Sequence, residues 1–130
     1  MAERILTDLN LKEAELSILF VDDLYIRELN RNYLHRNKPT NVIAFPMGKG
    51  EFASLHPQLL GDLVISVETA LRQSPQFGLT GMGMIVLLMI HGILHLVGYD
   101  HEGSRKEARE MTMKQKEIFQ RVIKTARFGK

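Results

Sequence analysis

Three histidines fall within one eleven-residue string, His91-Gly92-Ile93-Leu94-His95-Leu96-Val97-Gly98-Tyr99-Asp100-His101. The first two interrupt an apolar run that reads as a helix. Four steps of about 100° place His91 and His95 about 40° apart around such a helix and about 6 Å apart along it. Two imidazoles on one face can converge on a single ion. Gly98 then allows a backbone conformation that other residues resist, so the chain can turn back and bring His101 in as a third nitrogen. Three neutral imidazoles at about 2.0–2.1 Å, with a fourth position left for water, is the arrangement of a catalytic zinc. The bland reading, ordinary core histidines, is disfavoured because unpaired imidazole nitrogens are costly on an apolar helix. His35 and His56 lie in surface-like segments and read as solvated side chains.

The same H-x3-H-x5-H spacing occurs in metzincin proteases, which carry Glu directly after the first His as general base. Here that position is Gly92. Without that carboxylate, the metal must serve with other groups, or with its own water brought to a pKa of about 7.

The elements that must position these residues follow from pattern. Residues 2–10 place Ile5, Leu6 and Leu9 on one helical face, with Asn10 as a stop. A strand is expected over roughly 16–21, then a helix capped by Asp22 in which Leu24, Ile26, Leu29, Asn30 and Tyr33 recur at helical spacing. Lys38-Pro39-Thr40 is expected to end it. Asn41–Phe45 reads as a short strand, 47–59 as a loop, 61–66 as a third strand and Val67–Gln73 as a short helix broken by Ser74-Pro75. The apolar helix is expected from about Thr80 to Val97, and an amphipathic helix over 104–126 would bury Ala108, Met111, Ile118, Val122 and Ile123. Strands mixed with helices, without repeats, predict an α/β (α+β) fold: a single compact domain over 1–130, with a small mixed sheet, several helices and the zinc site at the C-terminal end of a buried helix.

Composition limits the function. At 130 residues, 45% hydrophobic and 25% charged, the chain can bury one core and is not a disordered segment. The absence of cysteine excludes disulfide scaffolds, thiolate zinc sites and cysteine nucleophiles. No signal-like segment opens the chain, so secretion is not expected. The apolar run from Met82 to Val97 has only 16 residues and contains two histidines, whereas a membrane span needs about 20 apolar residues; a core helix is expected and no membrane partner. Residues 1–101 carry eight Lys/Arg and eleven Asp/Glu, a charge of −3, while residues 102–130 carry nine and four, a charge of +5. A basic C-terminal segment suits either a polyanionic partner or a solvated helix face.

HGILHLVGYDH resembles the signature of the YbeY family, bacterial endoribonucleases and maturation factors of small-subunit ribosomal RNA. The likeness extends to Leu29-Asn30, Tyr33 and Lys38-Pro39-Thr40-Asn41-Val42 with Phe45-Pro46, and to Leu60-Gly61-Asp62-Leu63-Val64-Ile65-Ser66, covering roughly residues 13–125. It implies a zinc-dependent, cytoplasmic hydrolase that acts on single-stranded RNA and ribosomal RNA, serves rRNA processing and ribosome quality control, and associates with the small subunit and assembly factors. Carried over by position, the ligands of one zinc ion are His91, His95 and His101. Arg31, Arg36 and Lys38 fall in the block that the family folds near the metal, where they would either hold phosphate or form a solvated loop. Asp100 would either orient a ligand histidine or serve as a cap in the loop; Asp62 and Glu68 read as surface or capping groups.

Two departures bear on activity. Family members often have arginine directly after the block's tyrosine; here that residue is Leu34, so Arg36 is the candidate catalytic cation. Members also usually begin with a strand ahead of the first helix, so the sheet is expected to lack one strand and expose an edge. Besides the endoribonuclease, two functions remain open: a non-catalytic zinc-containing ribosome-assembly module, which Leu34 keeps open, and a metalloprotease-like hydrolase, which Gly92 opposes.

Overall fold

The computed structural model describes residues 2–11, 13–47, 59–99 and 104–126. Helix α1 (Ala2–Asp8) buries Ile5 and Leu6. Its end is set by Asn10, whose φ of 59° suits one of the few side chains tolerated in the left-handed region. Strand β1 (Glu15–Val21) leads into α2 (Asp23–Leu34), which begins at the expected cap: the Asp22 carboxylate accepts from Tyr25 N–H at 2.8 Å. Then follow β2 (Val42–Pro46), β3 (Leu59–Ser66), α3 (Val67–Gln73), a 3₁₀ turn at Ser74–Phe77, α4 (Gly81–Leu96) and α5 (Arg105–Ala126). The expected α+β class is what the chain forms, with five α-helices and a three-stranded mixed sheet among the described residues.

The sheet order is β1-β3-β2. β1 runs parallel to β3, with Leu16 opposite Gly61 and Val21 opposite Ser66; β2 runs antiparallel, with Val42 opposite Ile65. β3 is the last of the three in sequence and the middle one in space. It is covered on both faces, as its continuous apolar run requires. Leu63 and Ile65 face a core made with α1, α4 and α5, whereas Val64 joins Ile26 of α2 and Ile43 of β2 on the opposite face. Among the described residues no strand pairs with the outer side of β1.

α4 packs against β2, β3, α1, α3 and α5. Nine of its residues are buried, which explains why its sequence is apolar all round. Among the described residues no single helix is long and apolar enough to cross a membrane. Thr80 caps α4 by accepting from Gly83 N–H at 3.0 Å. At the other end Gly98 has a φ of 108°, Gly98 N–H reaches His95 O and Tyr99 N–H reaches Leu94 O. These paired bonds close the helix just after Leu96.

Two expectations about α2 need correction. Proline at 39 does not end the helix; His35 does, earlier in the chain, with a left-handed conformation at φ 59° and its N–H on Asn30 O. The expected apolar face is also narrower. Leu24 is 67% exposed and Tyr33 is 64% exposed. Leu24 lies on the far side of the helix from Ile26, since two helical steps turn the chain by about 200°. Tyr33 meets the Phe45 ring edge to face at a centroid distance of 5.6 Å.

A polar network fixes α2 against the rest. Asp23 accepts from Ser66 Oγ at 2.6 Å, Thr69 Oγ1 at 2.5 Å and an Arg72 guanidinium N–H at 2.8 Å. Burial pushes the Asp23 carboxyl up, but these hydrogen bonds and the Arg72 charge outweigh it and hold the group below its ordinary value. Glu68 is a capping group, accepting from Asp23 N–H at 2.7 Å. α2 is thereby tied to the β3–α3 junction, and the segment that follows α2 is held over α4.

Candidate active site

His91 and His95 project from α4 into a cleft of about 550 Å³ whose opposite wall is β2 and the segment after α2. Their Nε2 atoms face each other at 3.2 Å, and the rings meet edge to face with centroids 4.7 Å apart. Both side chains are half-buried. His91 Nδ1 lies 2.7 Å from Oε1 of Gln115, on α5. An amide oxygen only accepts, so in this contact Nδ1 donates, and in the neutral imidazole Nε2 is then the electron-pair donor. Among the described residues no group of three or more His, Asp or Glu converges. His101, Asp100 and His56 lie outside the described residues.

The donor pair fits a metal. Two nitrogens at about 2.0–2.1 Å from a tetrahedral ion are about 3.3 Å apart, close to the observed 3.2 Å. The Nδ1–H of His91 already has its acceptor, as is usual for metal-ligating histidine.

Arg36 and Lys38 line the same cleft, and so does Leu34. The cations arrive there because Asn30 pins their segment. Its Nδ2 donates to Lys38 O at 2.8 Å, and its backbone oxygen accepts from Arg36 N–H at 3.2 Å. Asn30 is itself buried. Arg31, expected beside these two, is absent from the cleft wall; it pairs with Glu28 one turn back on α2. His35 is exposed, as expected, and so is Asp62. The basic residues of α5 lie mostly on its solvent side, and two of them pair within the helix, Lys106 with Glu110 and Arg121 with Glu117.

Gly92 is a matter of space as well as of missing charge. A Cβ there would lie 2.6 Å from Cδ2 of Leu63, which is fully buried in β3. The glycine lets α4 approach the sheet, and a glutamate side chain would be driven into the core. Overpacking costs about 1–3 kcal/mol, against a helix-propensity gain of about 1 kcal/mol for replacing glycine. Gly92→Ala is therefore expected to lower thermal stability by up to about 2 kcal/mol, read by calorimetry. A melting temperature at or above wild type would mean that Leu63 yields freely.

Two residues of the site escaped sequence reading, Asn30 as an anchor and Gln115 as a partner of His91. Gln115 did leave a signal, since it is the polar member of the stripe Met111–Gln115–Ile118–Val122 whose other three side chains are buried.

The sequence profile described as "Endoribonuclease YbeY" matches residues 1–123. The Endoribonuclease YbeY of Syntrophotalea carbinolica is 49% identical over 123 residues, spanning 94% of this chain and 82% of that protein. That of Geobacter metallireducens is 49% identical over 120 residues, spanning 92% and 80%. The solution structure of TM1509 from Thermotoga maritima superposes with a TM-score of 0.67 at 28% identity, covering 97% of this chain and 81% of that one. A shared architecture, with nearly half of the residues identical to named members, leaves one assignment: the chain belongs to the endoribonuclease YbeY family.

Proposed function

We propose that the protein is a cytoplasmic, zinc-dependent endoribonuclease that cuts single-stranded RNA during maturation of small-subunit ribosomal RNA and in ribosome quality control, working with the small subunit and its assembly factors. Family membership supports RNA as the substrate. The observation that carries the reading is one cleft with a converging imidazole pair on one wall and two cations, Arg36 and Lys38, on the other.

His91, His95 and His101 would hold the ion. When bound, it supplies Lewis-acid polarisation of a phosphoryl oxygen. The remaining tasks fall to the chain. Arg36 and Lys38 hold the backbone phosphates on either side of the scissile bond, and Arg36 is the cation available to stabilise charge that develops on the phosphoryl group. Asn30 keeps both at the cleft. Leu34 adds apolar surface and no charge, so cleavage is expected to be slow. Peptide hydrolysis is not expected, because Leu63 occupies the direction in which a carboxylate base would have to grow from position 92.

The test is incubation of zinc-loaded protein with unstructured RNA and with casein, each with and without chelator. Internal cuts in RNA that stop with chelator, beside intact casein, are the expected result. Intact RNA with unimpaired RNA binding would favour the non-catalytic assembly module, and cleaved casein beside intact RNA would favour the protease.

A further inference from the structure

From the contact between α4 and α5 we infer that Gln115 is a positioning residue: it fixes the tautomer and the ring orientation of His91, and thereby sets the affinity of the metal site. The inference rests on the metal reading given under the proposed function.

α5 packs against α4, and its Met111, Ile118 and Val122, each at most 1% exposed, belong to the core that both helices share. Gln115 lies about 40° around the helix from Met111 and about 60° from Ile118, within the same stripe. An aliphatic side chain is what packing alone would select there. The chain instead places an amide, and its oxygen lies 2.7 Å from His91 Nδ1. A neutral imidazole has one proton and two nitrogens, so the acceptor on one side decides what the other side offers. With the proton held at Nδ1, Nε2 of His91 points an electron pair toward His95 Nε2 at 3.2 Å. Without Gln115, the acceptor at Nδ1 is lost, and the ring can turn about its χ2 torsion and carry the proton on Nε2 more readily. Metal binding would then have to restore both the tautomer and the orientation. A hydrogen-bonded partner of this kind is typically worth about 10- to 100-fold in metal affinity.

Because an apolar residue suits the stripe, Gln115→Leu separates positioning from folding. It is expected to keep helix content and melting temperature while weakening zinc, measured by competition with a chromophoric chelator, by about 10- to 100-fold. Gln115→Glu, which can only accept, should retain wild-type affinity or exceed it. Nitrogen-15 spectra of the metal-free protein provide a readout independent of zinc. His91 should show the Nδ1–H form in wild type and in Gln115→Glu, and a mixture in Gln115→Leu. Wild-type affinity together with an unchanged tautomer in Gln115→Leu would overturn the inference, as would Gln115→Glu behaving like Gln115→Leu. If wild type takes up no zinc, the metal reading fails instead, and the metal-free spectra alone still decide whether Gln115 sets the tautomer.

Discussion

Replacing His91 and His95 together with alanine is expected to leave the protein without stoichiometric zinc and to abolish RNA cleavage. The change removes two of the three proposed ligands, and one imidazole does not hold the ion against water. Loss of Lewis-acid stabilisation worth several kcal/mol corresponds to a rate loss of about a thousandfold or more. The fold should survive. Both side chains are half-buried at the cleft wall and not in the core, and alanine is the best helix former, so circular dichroism and melting should stay near wild type. Elemental analysis and an RNA cleavage assay on the same preparation decide the matter. One zinc per chain in the double variant would place the metal elsewhere, and undiminished cleavage would detach the chemistry from these histidines.

The expectation about α4 could be formed because its determinants are local. Its apolar run, its Thr80 cap and its Gly98 stop are all contiguous, and the structure sets the helix at Gly81–Leu96. Spacing alone also put His91 and His95 on one face. What spacing could not show is where contacts cross the chain. The order β1-β3-β2 makes the last strand central, a choice governed by which apolar faces find cover and not by adjacency. Leu63, on a strand far from Gly92 in sequence, is what makes that glycine a packing requirement. Gln115 meets His91 across 24 residues. The end of α2 was misplaced for a different reason. Proline is a strong stop signal, yet the left-handed turn at His35 acts first and carries no sequence mark as clear as glycine. Among the cations of the 31–38 segment, Arg31 had a legible partner one helical turn away in Glu28, whereas the anchoring of Arg36 and Lys38 by Asn30 depends on a side-chain bond to Lys38 O that no spacing rule specifies.

That separation of cations yields the second large effect. Arg36→Ala with Lys38→Ala is expected to reduce single-stranded RNA affinity about 25-fold at about 0.1 M salt and to flatten the log–log salt slope by about 1.4, because each phosphate contact on a single strand contributes about 0.7 to that slope. Arg31→Ala should change little, since Arg31 pairs with Glu28 away from the cleft wall. Leu34→Arg adds a cation to the same wall and should steepen the slope by about 0.7. It should also raise the cleavage rate, because a cation beside the phosphoryl group stabilises charge as it develops. The measurements are a salt titration of binding to a short unstructured RNA and single-turnover cleavage at saturating protein. If Arg36→Ala with Lys38→Ala binds as tightly as wild type at every salt concentration, the cleft is not where the RNA backbone lies, and the exposed basic face of α5 becomes the surface to test. If Leu34→Arg steepens the slope but leaves the rate unchanged, the added cation reaches a phosphate remote from the scissile bond, and Arg36 already supplies the charge that the reaction uses.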